Sequence, residues 1–157
     1  MVPTLEVGEA FRSIAFTDDR PPMAGDIVVF TQRFDTGQES DFVYRIVGMP
    51  GDRVQLVEGV LWINGTPVAT ERLGEAVDDR GRTVIRYRET LPNGVTYEII
   101  DMIRGLSADN TEIFVVPDAQ YFVLGDNRDN SLDSRLSRER GGRGFVDRDT
   151  LVGWVEQ

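Results

Sequence analysis

The sequence predicts a mostly β protein, and three of its features point to that class. Short apolar runs rich in β-branched and aromatic residues recur along the 157 residues, and turn residues separate them. No window keeps apolar residues at the 3.6-residue spacing of an amphipathic helix. The length suits one domain with its own core and leaves room for a small subdomain.

Eight runs have the composition and length of strands. In chain order they are 27–30, 43–47, 54–57, 61–63, 83–87, 95–100, 113–116 and 121–124. The dipeptide Asn64-Gly65 follows one of these runs and predicts a type I′ hairpin, because both central residues of that turn need positive φ. Helical character is predicted only for short turns near 107–110 and 136–140.

The middle of the chain differs from its flanks. Residues 69–112 are acidic and less hydrophobic than the segments on either side, and Pro92-Asn93-Gly94 marks a turn within them. We therefore predict an inserted β-subdomain over 69–112 and a core β domain built from 1–68 and 113–157.

Composition excludes several classes of function. The net charge of -10 argues against nucleic-acid binding and against adhesion to anionic lipid. The chain has no Cys and no His, which removes thiol chemistry and Ser–His catalysis and makes a transition-metal site improbable. All 17 residues of the Lys and Arg total are Arg, so the chain has no Lys. No cofactor or metal is predicted. No apolar run approaches the roughly 20 residues that span a bilayer, so the chain alone is expected to be soluble.

The most informative stretch is 125–135, with the sequence G-D-N-R-D-N-S-L-D-S-R. It follows the apolar run 121–124 directly, so many charges and hydrogen-bonding groups must find partners over a short distance. Such clusters are typical of tight structural turns and of functional sites.

Four segments in order carry a resemblance to a known family. They are M-V-P-T-L at 1–5, G-D-I-V-V-F at 25–30, R-I-V-G-M-P-G-D at 45–52, and the polar stretch 125–135. Together they resemble the bacterial type I signal peptidases, the serine–lysine leader peptidases, from residue 1 to about residue 153. The stretch 125–135 is the most specific of the four.

The resemblance implies a signal-peptidase-like, β-rich catalytic core with a smaller β insertion. It also implies a membrane-bound serine endopeptidase that removes signal peptides from exported preproteins on the outer, periplasmic side of the bacterial cytoplasmic membrane. The implied partners are those signal peptides and a lipid membrane, which is reached by a segment missing from this chain. In the family a Ser nucleophile attacks the scissile carbonyl, and a buried neutral Lys acts as its general base.

The chain departs from the family at both reacting groups. The family's Ser directly precedes the Met that is Met1 here, so the nucleophile segment is expected to be missing. The family's Lys precedes the Arg that is Arg45 here, and that position holds Tyr44. A phenol has a pKa near 10, burial raises that pKa, and a guanidinium stays protonated. We therefore expect this chain to be inactive in signal-peptide cleavage.

By resemblance, several residues around the missing pair keep their roles. Ser131 corresponds to the hydroxyl that orients the Lys amine; here it either bonds the Tyr44 phenol or only caps a turn. Asp133 corresponds to a carboxylate that pairs with an Arg, expected to be Arg135. The remaining expectations are that Met1 and Pro3 border the substrate, and that the residues bracing the site are Arg45, Asp126 and Asn127.

Other chemistry is less well supported. An acid/base pair among the aspartates of 125–135 is disfavoured, because such pairs are normally distant in sequence. A calcium loop is disfavoured because Leu132 and Arg138 stand where an EF-hand has its Gly and Glu. Two alternatives to an enzyme stay open. The chain is a natural non-catalytic pseudoenzyme that binds extended peptides, or it is a truncated or altered part of an ordinary enzyme.

Overall fold

The computed structural model describes residues 1–6, 8–78, 80–102 and 107–156. Within these residues the chain forms thirteen strands and four short 3₁₀ turns, and no α-helix. The predicted mostly β class is therefore confirmed. None of the described residues belongs to a helix long and apolar enough to cross a membrane.

The strands are numbered in chain order. They are β1 (Ser13–Ile14), β2 (Ile27–Arg33), β3 (Glu39–Gly48), β4 (Arg53–Val57), β5 (Val60–Ile63), β6 (Thr66–Pro67), β7 (Ala69–Val77), β8 (Thr83–Thr90), β9 (Thr96–Asp101), β10 (Phe114–Val115), β11 (Gln120–Leu124), β12 (Val146–Asp147) and β13 (Leu151–Val155). The 3₁₀ turns are Ser107–Asp109, Arg128–Asn130, Arg138–Arg140 and Arg148–Thr150.

These strands form three antiparallel sheets. A six-stranded sheet has the order β1-β13-β2-β3-β11-β12, a four-stranded sheet the order β10-β4-β5-β6, and a three-stranded sheet the order β7-β8-β9. The first four residues of β2 are all buried, as expected for a strand covered on both faces. β2 and β3 pair over seven residues of β2, and they occupy the two central places of the six-stranded sheet.

The six-stranded sheet separates two apolar clusters. One face carries Val47, Phe122 and Leu124, and these pack with buried residues of the other two sheets. The other face carries Phe30 and Ile46 and forms a second cluster. Because side chains alternate along a strand, neighbouring residues of β3 contribute to different clusters.

All eight predicted runs coincide with strands, and both predicted helical turns coincide with 3₁₀ turns. The Asn64-Gly65 hairpin is confirmed, with φ of 53° and 79° at its two residues. The three-stranded sheet lies within the predicted insertion, yet its Tyr87 and Tyr97 pack in the same cluster as Val47. The division into two subdomains at 69 and 112 stays a prediction.

Two longer strands were not predicted. β7 is largely exposed, with charged residues and Gly74 in its sequence, and its register against β8 shifts between Arg72 and Gly74. Pairing with β8 therefore holds it in place, with little apolar burial of its own. β13 contains Gly153, where a Cβ would lie 2.5 Å from Ser13 Oγ. β1 can therefore approach β13 closely only if this residue is glycine. Glycine is uncommon inside strands, so the sequence pattern does not predict a strand here.

A buried ion pair ties the three-stranded sheet to the polar stretch 125–135. Glu89 in β8 has no exposed surface and receives hydrogen bonds from Arg128 Nη1 at 2.9 Å and Nη2 at 2.6 Å. The hydroxyl of Tyr97 in β9 donates to the same carboxylate at 2.7 Å. This carboxylate thus joins β8, β9 and the loop that follows β11.

We predict that Glu89→Gln lowers the free energy of unfolding by about 3–5 kcal/mol, because it leaves the buried Arg128 without its ion-pair partner. Urea denaturation measures the change. The matched control is Glu71→Gln, which removes an ion pair whose side chains are 45% and 67% exposed. That control should cost about 0–1 kcal/mol. Equal losses in the two variants would contradict the prediction.

Candidate active site

The candidate site lies where β3 meets the loop that follows β11. The register places Leu124, the last residue of β11, opposite Arg45 in β3. The polar stretch therefore begins beside Tyr44 and Arg45, which point to opposite faces of the sheet. Two groups of polar residues result, one on each face.

On one face Arg45 forms a buried, two-point ion pair with Asp126. Its Nε lies 2.9 Å from Asp126 Oδ1 and its Nη2 lies 2.8 Å from Oδ2, and both side chains are 1% exposed. Nη1 donates to the carbonyl of Gly25 at 2.7 Å, and the guanidinium carbon lies 4.2 Å from the centre of the Tyr97 ring. The Thr4 hydroxyl also donates to Asp126. Arg45 thus holds the N-terminal segment, β9 and the polar stretch together.

On the other face Asp133 organises the polar stretch. Its Oδ1 accepts from Arg135 Nε at 2.8 Å and its Oδ2 from Arg135 Nη2 at 2.9 Å. The Ser131 hydroxyl donates to Oδ2 at 2.7 Å, and the amide of Gly125 donates to the same oxygen at 3.1 Å. Arg135 also donates to the carbonyl of Arg128 at 2.5 Å. Asp126 and Asp133 are thus each held in a buried ion pair with an arginine.

Tyr44 lies against Ser131 across Gly125. A Cβ at Gly125 would collide with Ser131 Oγ, would lie 2.7 Å from Ser131 Cβ, and would lie 3.7 Å from Tyr44 Cε1. The half-buried Tyr44 hydroxyl donates to the carbonyl of Leu132 at 3.2 Å. Ser131 follows the 3₁₀ turn Arg128–Asn130, and its hydroxyl donates to Asp133 while lying beside the Tyr44 ring.

The environment of Tyr44 keeps its phenol neutral. Burial raises the pKa of Tyr44 above its usual value, the Arg143 guanidinium acts in the opposite direction, and the Asp133 carboxylate adds to the rise. A group of this kind holds its proton at neutral pH and cannot accept another from a nucleophile.

Arg143 is a residue of this site that the sequence did not point to. It is 6% exposed, its Nε donates to the Leu132 carbonyl at 2.9 Å, and its guanidinium carbon lies 3.9 Å from the centre of the Phe42 ring. The local signal for it is weak: it is a single Arg in the run Gly141 to Gly144, where glycines let the backbone fold tightly.

The remaining predicted site residues lie on the Arg45 side of the sheet. Met1 packs against Ile27 and Val29, whose side chains share a face with Arg45. Pro3 lines a cavity of about 230 Å³ together with residues of β9. Asn127 precedes the 3₁₀ turn, and among the described residues its buried Oδ1 has no hydrogen-bond partner. Met1 and Pro3 are therefore not in one cluster with Tyr44 and Ser131.

The whole chain, residues 1–157, matches the family model described as signal peptidase, peptidase S26. The chain belongs to this family. Its similarity to curated relatives is consistent across species. The signal peptidase I of Rickettsia typhi (strain ATCC VR-144 / Wilmington) is 38% identical over 140 residues, covering 85% of this chain and 50% of that protein. The signal peptidase I of Rickettsia conorii (strain ATCC VR-613 / Malish 7) is 40% identical over 124 residues, covering 75% and 46%.

The chain spans about half the length of the curated signal peptidases it matches. Among solved structures, a crystal structure of a signal peptidase I from Enterococcus faecalis V583 is 24% identical, with a TM-score of 0.48. The match covers 90% of this chain and 100% of the Enterococcus chain.

In this member of the signal peptidase family, the closeness of Gly125 to Ser131 predicts a steric effect. We expect Gly125→Ala to lower the free energy of unfolding by about 1–3 kcal/mol, because the added methyl group overpacks the site. Urea denaturation measures the loss. Ser131→Ala in the same background removes the nearest oxygen and should recover part of it. If Gly125→Ala is as stable as the parent chain, the close contact between position 125 and Ser131 is contradicted.

The buried phenol predicts a pH effect on stability. At pH 7, Tyr44→Phe should cost about 0.5–1.5 kcal/mol for the lost hydrogen bond to Leu132. Because the folded-state pKa of Tyr44 is raised, its contribution is present below the unfolded pKa near 10 and is lost as the pH rises further. The gap between the parent chain and Tyr44→Phe should therefore narrow above pH 10. A gap that widens there would contradict the raised pKa.

Proposed function

We propose that this chain is the catalytic-type β domain of a signal peptidase I relative and that it does not cleave signal peptides by the Ser/Lys mechanism. The observation that carries the proposal is Tyr44, a neutral phenol beside Ser131 at the position where the family has its general base. The proposal rests on Tyr44 alone.

Among the residues that the structure describes, no other side chain near Tyr44 supplies the missing base. Arg45 is buried in its ion pair with Asp126, and a guanidinium does not lose its proton in a protein. The chain contains no Lys and no His. The Ser131 hydroxyl donates a hydrogen bond to Asp133, a carboxylate that Arg135 already engages in an ion pair.

The substrate class and location follow from family membership as proposals. The relatives are named signal peptidase I, so the ligand proposed for this domain is the signal peptide of an exported preprotein. An extended peptide would bind by adding a strand to an exposed sheet edge. The domain is proposed to lie on the outer face of the bacterial cytoplasmic membrane, with lipid contact through a segment outside this chain.

A second candidate function is peptide binding without cleavage. It is favoured by the fact that the ion pairs Arg45–Asp126 and Asp133–Arg135 are intact although the base position is changed. These ion pairs stabilise the geometry of the site whether or not a base is present, so a surface that binds a peptide could persist without cleavage. The competing view is a cut-down or altered domain of an active enzyme, in which Tyr44 stands for an original Lys.

A cleavage assay tests the loss of activity. The chain extended at its N-terminus by the family's Ser should give no turnover of a signal-peptide substrate, because Tyr44 cannot take the serine proton. The matched variant adds Tyr44→Lys to that extension and should show turnover above background. Cleavage by the Tyr44 form that disappears in Tyr44→Phe would overturn the proposal.

A titration tests peptide binding. Signal-peptide analogues added to the chain should perturb the NMR signals of residues around Ser131, and a scrambled peptide of the same composition should not. The expected result is saturable binding without cleavage. Identical responses to the two peptides would remove the peptide-binding candidate.

A further inference from the structure

Arg143 is a buried cation for which the described residues provide no ion-pair partner. It is 6% exposed, and the described part of the chain places no carboxylate within 4.0 Å of its guanidinium. Its hydrogen bonds go instead to uncharged acceptors: Leu132 O at 2.9 Å, Gln32 Oε1 at 3.0 Å and Gly141 O at 3.0 Å. Each of the three guanidinium nitrogens thus donates a hydrogen bond, and these bonds hold the positive charge in place beside the site.

Arg143 and Tyr44 meet at one oxygen. The Leu132 carbonyl accepts both from Arg143 Nε and from the Tyr44 hydroxyl, the latter at 3.2 Å. The two side chains also share an aromatic surface, because Phe30 contacts both Phe42, which lies under the Arg143 guanidinium, and Tyr44. Whatever occupies position 44 therefore lies beside a fixed positive charge.

A positively charged side chain at position 44 would be poorly accommodated. Two like charges donating to one carbonyl repel each other, and partial burial weakens the screening by water. Asp133 is the other charged group that acts on Tyr44. Its two oxygens already accept hydrogen bonds from Arg135, Ser131 and the Gly125 amide. The negative charge of Asp133 is therefore shared with these groups and offsets a cation at position 44 only in part.

We propose that Arg143 is a positioning residue that selects an uncharged side chain at position 44, so that Tyr44 and Arg143 form a matched pair. The proposal rests on the proposed function only in taking position 44 as the family's base position. For the phenol, the effect of Arg143 on the pKa is larger than that of Asp133, and both are smaller than the effect of burial.

The pair has a consequence for a lysine placed at position 44. Burial and the Arg143 charge would both lower the pKa of the amine, and Asp133 alone would raise it. An amine deprotonated near neutral pH is what a lysine general base requires. The residues around position 44 therefore retain an electrostatic environment suited to a neutral amine as well as to a phenol.

The absence of Lys makes the test unusually direct. Tyr44→Lys would carry the only lysine of the chain. Lysine labelled with ¹³C at Cε then gives a single NMR signal whose shift with pH reports that one amine. The matched control is Arg33→Lys, which places a single lysine at an exposed position of the neighbouring strand β2.

The control lysine should titrate near the ordinary pKa of about 10.4, and the Tyr44→Lys amine about one unit or more below it, a tenfold larger neutral fraction at a given pH. Adding Arg143→Met to Tyr44→Lys should raise the pKa of the amine part of the way towards that of the control lysine. The part of the pKa difference that burial causes should remain. Equal pKa values at position 44 with and without Arg143 would overturn the proposal, as would an ordinary pKa in Tyr44→Lys itself.

A second measurement needs no lysine and covers the case in which Tyr44→Lys does not fold. Tyrosine labelled at Cζ reports the Tyr44 phenol in the parent chain and in Arg143→Met, with Tyr44→Phe assigning the signal. Loss of the nearby cation should raise the pKa of the Tyr44 phenol. An unchanged or lowered pKa would overturn the proposal. Neither titration depends on cleavage or peptide binding, so these outcomes leave the proposed function to its own assays.

Discussion

The buried ion pair between Arg45 and Asp126 is the interaction on which the rest of the site depends. Both side chains are 1% exposed, and a two-point contact fixes their relative orientation. Through it the central strand β3 is joined to the loop after β11, to Thr4 in the N-terminal segment, and to the ring of Tyr97 in the three-stranded sheet. Removing either charge would leave the other buried alone, at a cost of about 3–5 kcal/mol, so the arrangement admits little variation.

Alternation along β3 assigns different tasks to adjacent residues. Arg45 faces the cluster shared by the three sheets, where it fixes the fold, and Tyr44 faces the opposite side, where Ser131 and Arg143 lie. A change at position 44 therefore leaves the ion pair on the other face in place. This separation supports the proposal that the chain keeps the family's framework while carrying a different side chain at the position of the base.

Local patterns in the sequence were sufficient for most strands and for the Asn64-Gly65 hairpin, because both follow from residues within a few positions of each other. They were insufficient for β7, whose charged sequence is held by pairing with β8. They were also insufficient for Arg143, which bonds Gln32 across 111 positions of the chain. The family resemblance supplied the expected places of Ser131 and Asp133, whereas the burial of a cation beside Tyr44 depends on side-chain packing that no short motif encodes.

The polar stretch 125–135 shows why a well-formed site is weak support for activity. Asp126 and Asp133 each compensate a buried guanidinium, so both are needed for stability whether or not the protein cleaves anything. The Tyr44 hydroxyl donates a neutral hydrogen bond of 3.2 Å to the Leu132 carbonyl, which contributes about 1 kcal/mol. Stability therefore constrains the aspartates strongly and position 44 weakly. A substitution at position 44 is therefore expected to perturb the fold less than the loss of either aspartate.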